Sequence, residues 1–489
     1  MPDLFIDGSW RSSSDGGTRD VVDPATGRAF TAVDEATASD AEAAVAAARR
    51  AFDEGSWAAT PVDDRSKVLR RTAELLERDK EEIARTETLD TGKTLAESRI
   101  DVDDVAAVFR YYADEVLREV DRSVDVGRED VVSRVVHAPI GVCSLIAPWN
   151  YPLLQIAWKV APALGAGNTT VLKPSEVTPL TTVHLVRLLA EAGVPDGVVN
   201  LVLGGGPVVG PALTEHDDVD LVSFTGGLAT GQRILRAGAE SIKRVTVELG
   251  GKNPHVVFAD ADLATAVDLV LTGAFLHSGQ VCSAGTRLIV EESVADALVE
   301  GVVDRARRIR VGSGLDPASE TGPLVSAAHR EKVEAYVALG RSEGARLLTG
   351  GKRPEADHLR DGFFFEPTVF DGCDRSMRLV QEETFGPILT VERFRTEAEA
   401  VALANDTAYG LAGGVQTADV ERGERVAAAL RHGTVWINDF GPYVPQAEWG
   451  GWGRSGNGRE LGPEGLAEYR QSKHVWRNTA PRPAGWFAG

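Results

Sequence analysis

The sequence predicts an α/β protein built on a parallel sheet, and three observations carry that prediction. From Gly141 onward, apolar runs alternate with amphipathic segments, the succession that winds a parallel sheet with right-handed crossovers. A second alternation of the same kind begins near Ala259. At 489 residues the chain exceeds one ordinary hydrophobic core, so two or three domains are expected.

The first third reads mainly as helices. Ser39 with Glu42 three residues on is a capping-box pattern ahead of an Ala-rich stretch, and helical periodicity returns over Asp63 to Leu89 and Ala96 to Val120. The alternating stretch Asp130 to His137 (DVVSRVVH) reads as a strand leaving that body, an arm or hairpin. Val142 to Ala147, Thr169 to Leu172, Val198 to Leu203, Asp220 to Phe224 and Val245 to Val247 read as buried strands. Helices lie between them, such as Thr182 to Ala192, stopped by Gly193. Past Ala259 come a helix leading to Cys282 and strands at Arg287 to Val290, Ile388 to Arg393, Gly413 to Gln416 and Thr434 to Asn438. A Gly-rich segment, Trp449 to Gly462, and an alternating tail, Tyr469 to Arg477, follow.

Composition excludes several function classes. Hydrophobic residues at 43% and charged ones at 26% describe a globular chain, and a formal net charge of -21 disfavours nucleic acid or an anionic membrane as partner. Three unevenly spaced cysteines, Cys143, Cys282 and Cys373, do not form a disulfide framework and point to a reducing setting. The opening MPDLFIDGSW lacks a basic-then-apolar leader, and no apolar run is long enough to span a bilayer, so cytoplasm is the expected compartment. The histidines are scattered singly and no metal-ligand spacing occurs, so no metal is expected.

Function is signalled at the strand ends. Asn150, Lys173, Glu176, Gly226, Gly227 and Glu248 all fall just past predicted strands, at the sheet edge where open α/β folds bind ligands. Cys282, in GQVCSAGTR, and Glu248, in VELGGK, together suggest acyl-enzyme chemistry: a thiolate attacks a carbonyl, and a carboxylate acting as general base activates the water that releases an acid. Taken singly, a free cysteine is as readily a small buried hydrophobe and a glutamate a solvated strand end.

IAPWNYPL (Ile146 to Leu153), VLKPSE (Val171 to Glu176), FTGGLATG (Phe224 to Gly231), VELGGK, GQVCSAGTR and QEETFGP (Gln381 to Pro387) occur in one order and spacing. Together they closely resemble the NAD(P)-dependent aldehyde dehydrogenase superfamily, over a stretch from about Leu4 to Asn478. The resemblance implies a Rossmann-type NAD-binding domain (1–120 and 141–250), a catalytic domain (251–462) and a small β oligomerisation arm (121–140 and 463–489), assembled as a homodimer or homotetramer. Within it Cys282 is the nucleophile, Glu248 the general base, and Asn150 the side-chain donor of an oxyanion hole shared with the Cys282 N–H. Lys173 and Glu176 are assigned to the adenosine ribose, where a glutamate accepts from two hydroxyls and repels a 2′-phosphate, favouring NAD over NADP, and Ser175 is counted among the cofactor-binding residues. Ile146, Ala147, Pro148, Trp149, Phe224 and Leu249 are placed around the cofactor, and Gly226, Gly227 and Gly231 frame a helix N-terminus facing the pyrophosphate. At Gly227 relatives often carry serine, so one hydroxyl contact is missing. Glu383 and Phe385 match the pair that holds the nicotinamide ribose and ring.

GPYVPQAEWGG (Gly441 to Gly451) and SGNGRELG (Ser455 to Gly462) look like the betaine-aldehyde branch of that family. There Tyr151, Trp158, Tyr443 and Trp449 would build an aromatic box for a trimethylammonium group, each ring worth about 0.5–2 kcal/mol, with Glu448 adding Coulomb attraction. Gly441 stands where related boxes often have histidine, and Leu276 where some have tryptophan. Aminoaldehydes or a broad aldehyde range are the alternative substrates. CoA-acylating oxidation and a non-catalytic binding descendant of the fold are alternatives of other kinds, and NAD reduction by an aldehyde separates the last from an enzyme.

Overall fold

The computed structural model describes residues 3–118 and 120–486. Residues 1–2, 119 and 487–489, which fall within the expected domain segments, lie outside the described residues.

Five buried parallel strands form the centre of an eight-stranded sheet. Across the sheet they run Arg244–Leu249, Leu221–Gly226, Val142–Ile146, Thr169–Lys173 and Val199–Leu201. The chain therefore starts in the middle, at Val142–Ile146, and winds outward on both sides. Between Val142–Ile146 and Leu221–Gly226 the winding reverses, which opens a crevice at the carboxyl ends of those two strands. Antiparallel strands close both edges, Gly456–Asn457 at one and Leu4–Ile6 with Ser9–Arg11 at the other.

A seven-stranded sheet holds the second α/β region. Its order is Arg346–Thr349, Thr368–Asp371, Ile388–Phe394, Arg287–Glu291, Pro254–Val257, Ala412–Gln416 and Thr434–Ile437, parallel except at the first pair. A third, exposed sheet pairs Val131–Pro139 antiparallel with Arg470–Asn478 over nine positions, with Arg122–Ser123 on its other side. This joins the predicted arm strand to the predicted tail.

Several expected details are corrected. The capping box is Thr37 with Asp40, not Ser39 with Glu42: the Thr37 hydroxyl accepts from the Asp40 N–H and the Asp40 carboxylate from the Thr37 N–H. Asp63 to Leu89 is two helices, Val62–Arg78 and Lys80–Thr91, broken at Asp79, and the next helix ends at Glu115. The first third also holds the hairpin Thr18–Asp23/Arg28–Asp34, too polar and too exposed for an apolar alternation to betray it. Lys173, Gly226 and Glu248 are strand residues rather than residues past the strand, because pairing continues one or two positions beyond the apolar run.

Candidate active site

The loop carrying Cys282 begins with backbone strain. Helix Leu263–Phe275, capped by Asp262, gives way to His277 (φ 46°), Ser278 (φ 53°) and Gly279 (φ 69°) in the left-handed region, and each of the two non-glycine residues costs roughly 1–2 kcal/mol there. Named partners hold the turn. Glu97 Oε1 accepts from the His277 N–H at 2.8 Å, Thr321 Oγ1 accepts from the Ser278 N–H at 3.0 Å, and the Ser278 hydroxyl donates to the Gly322 carbonyl at 2.6 Å. At Gly279 a Cβ would lie 2.4 Å from the Gly386 carbonyl oxygen, so both φ and space demand glycine. Asn253 then fastens the loop from below, donating to the carbonyls of Cys282 (2.8 Å) and Ala284 (3.0 Å) and accepting from the Ala412 N–H (3.0 Å).

Asn150 follows the strand Val142–Ile146 and precedes a helix, Pro152–Ala166, that is buried all round. Its amide donates one N–H to the Gln280 carbonyl at 2.9 Å, which fixes the side chain beside the cysteine loop and leaves its second N–H free to donate.

Cys282, Glu248 and Asn150 open on one cavity of about 700 Å³ at the switch point of the first sheet. Its walls also take in Ile146 through Trp149, Lys173, Ser175 and Glu176, then Phe224, Gly226, Gly227 and Leu249, and finally Glu383 and Phe385. Gly231 alone among the predicted cofactor residues is set back from it. A Cβ at Gly231 would come within 2.6 Å of Leu249 Cδ2, so this glycine serves close packing of helix on strand.

Electrostatics sort the groups in the cavity. Burial, reinforced by the charge of Glu460 and opposed by Lys159, pushes the Glu248 carboxyl up to about 8. Its Oε1 accepts from the Trp449 indole N–H at 3.4 Å, whereas Oε2 has no partner among the described residues. Burial, with the charges of Glu248 and Glu383, also pushes the Cys282 thiol well up, against the pull of its own N–H and that of Ser283. The resting cysteine is therefore a thiol. Glu383 accepts from the Gly251 N–H at 3.0 Å and is raised to about 7 by burial, with Lys332 opposing.

The donor set fits a dinucleotide. Lys173 stands 3.6 Å from Glu176, the arrangement of a cation and a hydroxyl acceptor. Helix Leu228–Ser241 starts at Gly227 with no side-chain cap, which leaves its first N–H groups for an anion. A Cβ at Gly227 would meet no atom within 4 Å, so its contribution is backbone and open space. At the other end Phe385 (φ 55°) packs edge-on against Trp149 at 5.2 Å.

Three of the four predicted substrate rings come together. Trp158 meets Tyr443 at 5.3 Å and Trp449 at 5.9 Å, edge to face, and Tyr443 lies 6.2 Å from Trp449. Tyr151 instead packs edge-on to His277 at 5.6 Å, and Lys93 Nζ sits 3.9 Å over its ring, so an internal cation already occupies one face. Glu448 is corrected too. Its carboxylate turns to the start of helix Gly462–Ala467, 3.5 Å from the Glu464 N–H, rather than toward the rings.

Other groups at the site escaped the sequence reading. Lys159 bonds Glu460 and, at 2.7 Å, the Thr225 hydroxyl, all buried beneath Glu248. Its signal was available: it is the one charged residue in PLLQIAWKVAPALGA. His329 and Lys332 reach the cavity from helix Ala327–Ser342, far from any motif, and had no such signal.

Comparison with known proteins gives one result throughout. Residues 10–475 match the model of the aldehyde dehydrogenase family. The betaine aldehyde dehydrogenase of Bacillus subtilis (strain 168) is 54% identical over 484 residues, 99% of each chain. Aminoaldehyde dehydrogenase 2 of Zea mays is 46% identical over 491 residues, 99% of this chain and 97% of its own. Among solved structures, the betaine aldehyde dehydrogenase of Staphylococcus aureus in complex with NAD+ superposes with a TM-score of 0.99 at 49% identity, covering 100% of this chain and 97% of that one.

Proposed function

The chain belongs to the aldehyde dehydrogenase family, and from that premise we propose that it oxidises betaine aldehyde to glycine betaine with NAD, with Cys282 as nucleophile, Glu248 as general base and Asn150 as oxyanion donor. One observation carries the reading: a thiol, an amide N–H and a buried carboxylate with an unpartnered oxygen open on the cavity whose other walls suit a dinucleotide. The sulfur adds to the aldehyde carbon, and the oxyanion that forms takes hydrogen bonds from the Asn150 amide and the Cys282 N–H, each worth about 3 kcal/mol in the transition state. The thiol gives up its proton to solvent at the outset, which keeps the Glu248 carboxylate as the base for the later step. NAD, when bound beside Cys282, supplies the hydride acceptor and a positive ring charge that favours the thiolate. With the carbonyl carbon oxidised to a thioester on Cys282, Glu248 removes a proton from water as the water attacks, and the acid leaves with the thiol restored.

The substrate reading rests on the Trp158, Tyr443 and Trp449 cluster, whose faces attract a cation that cannot donate hydrogen bonds. Similarity to the Bacillus subtilis and Staphylococcus aureus proteins supports it. An aldehyde panel assayed with NAD and with NADP tests the whole: betaine aldehyde with NAD is expected to give the highest kcat/KM, and equal values for an uncharged isostere would sink the cation reading. No helix among the described residues is long and apolar enough to cross a membrane. Three free cysteines support a reducing compartment, and the location proposed is the cytoplasm. The exposed Val131–Pro139/Arg470–Asn478 ribbon supports its role as the arm of a homo-oligomer, dimer or tetramer, beside cofactor and catalytic parts divided as the sequence suggests.

A further inference from the structure

Beside the cavity, near Lys173 and Glu176, stands a second carboxylate that the reading above leaves unused. It is Glu35, the residue after the N-terminal hairpin. Arg19 clasps Glu35 in a two-pronged pair, Nε to Oε2 and Nη2 to Oε1, both at 2.5 Å. Glu35 Oε1 also accepts from the Gly205 N–H at 2.9 Å, and the next N–H, that of Gly206, lies 3.5 Å from Glu176 Oε1. Gly206 lines the cavity, and a Cβ at Gly205 would come within 3.3 Å of both Arg19 Nη2 and Glu35 Oε1. Two cations and two carboxylates thus gather around the start of helix Gly206–Thr214: Arg19 with Glu35, and Lys173 with Glu176.

The pairing decides which charges a ligand meets. A guanidinium fork is the side chain best matched to a phosphate, and Arg19 is the only arginine in this group of four. Its fork is taken by Glu35. We propose that Glu35 is a cofactor-specificity residue, which by clasping Arg19 withholds the fork from a 2′-phosphate and reinforces the repulsion by Glu176, so that NAD is preferred to NADP. Glu35 acts through Arg19 and is a positioning residue. The proposal rests on the reading that Lys173 and Glu176 face the adenosine ribose.

Equilibrium binding of adenosine 2′,5′-bisphosphate and of 5′-AMP to the full chain tests it, with the affinity ratio of the two as readout and the NADP to NAD ratio of kcat/KM alongside. Glu35→Gln keeps an acceptor for the Gly205 N–H and removes the charge that holds Arg19. It is expected to raise the bisphosphate to monophosphate ratio on the order of tenfold, and adding Arg19→Gln is expected to abolish the gain. A general loosening of the hairpin would weaken both nucleotides together and leave the ratio where it was. If Glu176→Gln raises the ratio and Glu35→Gln does not, the proposal fails while the ribose reading stands; a gain that survives Arg19→Gln overturns it as well. If Glu176→Gln changes neither nucleotide, the ribose reading itself fails and the proposal with it.

Discussion

Replacing Glu248 by Gln should stop turnover after one chemical event. Glutamine keeps the shape of a buried side chain and can still accept from the Trp449 indole N–H, so packing is preserved and the lost capacity is proton abstraction. A positioned general base contributes roughly 10²–10⁴-fold. Because burial and Glu460 hold this carboxyl at about 8, the measured loss depends on pH, and the sign follows from which form is active. The active form is the carboxylate, present above the raised pKa and lost as pH falls through it. About a tenth of wild-type molecules are ionised near pH 7 and about nine tenths near pH 9, so the wild-type to variant ratio should be about tenfold larger at the higher pH. Stopped-flow absorbance of NADH gives both quantities. The variant should show a burst of about one NADH per site followed by a slow phase flat in pH. A variant that turns over continuously at the wild-type rate, or a wild-type rate with no acid limb near pH 8, would refute the reasoning.

Asn150→Ala should lower kcat by about 10²–10³-fold by removing one oxyanion donor, with NAD affinity by fluorescence titration nearly unchanged. Asn253→Ala deletes three hydrogen bonds beneath the cysteine loop, two of them buried, and thermal unfolding should show about 2–4 kcal/mol of lost stability. Tyr443→Ala removes one ring of the cluster, and kcat/KM for betaine aldehyde relative to an uncharged isostere should fall by roughly 2- to 30-fold; an unaltered ratio would count against that ring. At Gly250 a Cβ would sit 1.8 Å from the Glu383 carboxylate, so Gly250→Ala should displace Glu383 and weaken NAD by about tenfold or more in equilibrium dialysis.

Much of this site was legible because its residues sit where apolar strands stop. The strands Val142–Ile146 and Thr169–Lys173 are buried throughout and Leu221–Gly226 and Arg244–Leu249 over most of their length, and a parallel strand of that kind reads as an apolar word with its functional residue at or near the end. Less legible was anything fixed by contacts distant in sequence. Asn253 reaches carbonyls 29 and 31 residues away and an N–H 159 residues away, and Lys159 is explained only by Glu460, 301 residues on. The aromatic box shows the same limit. The family resemblance implied four rings near one another, but Lys93, held by Asp101 and Glu87, is what claims a face of Tyr151, and no local pattern announces that. The polar N-terminal hairpin was missed for the opposite reason: its strands bury little and so carry no alternation, yet one of them places Arg19 against Glu35, beside the nucleotide groups.

In the proposed reaction Cys282 carries the acyl group formed when NAD is reduced. Rapid acid quench of the enzyme with betaine aldehyde and NAD, followed by peptide mass spectrometry, tests it directly. The account predicts an acyl adduct on the peptide containing Cys282, equal in amount to the NADH of the first turnover and absent without NAD. NADH formed with no adduct there, or an adduct on Cys143 or Cys373 instead, would contradict it.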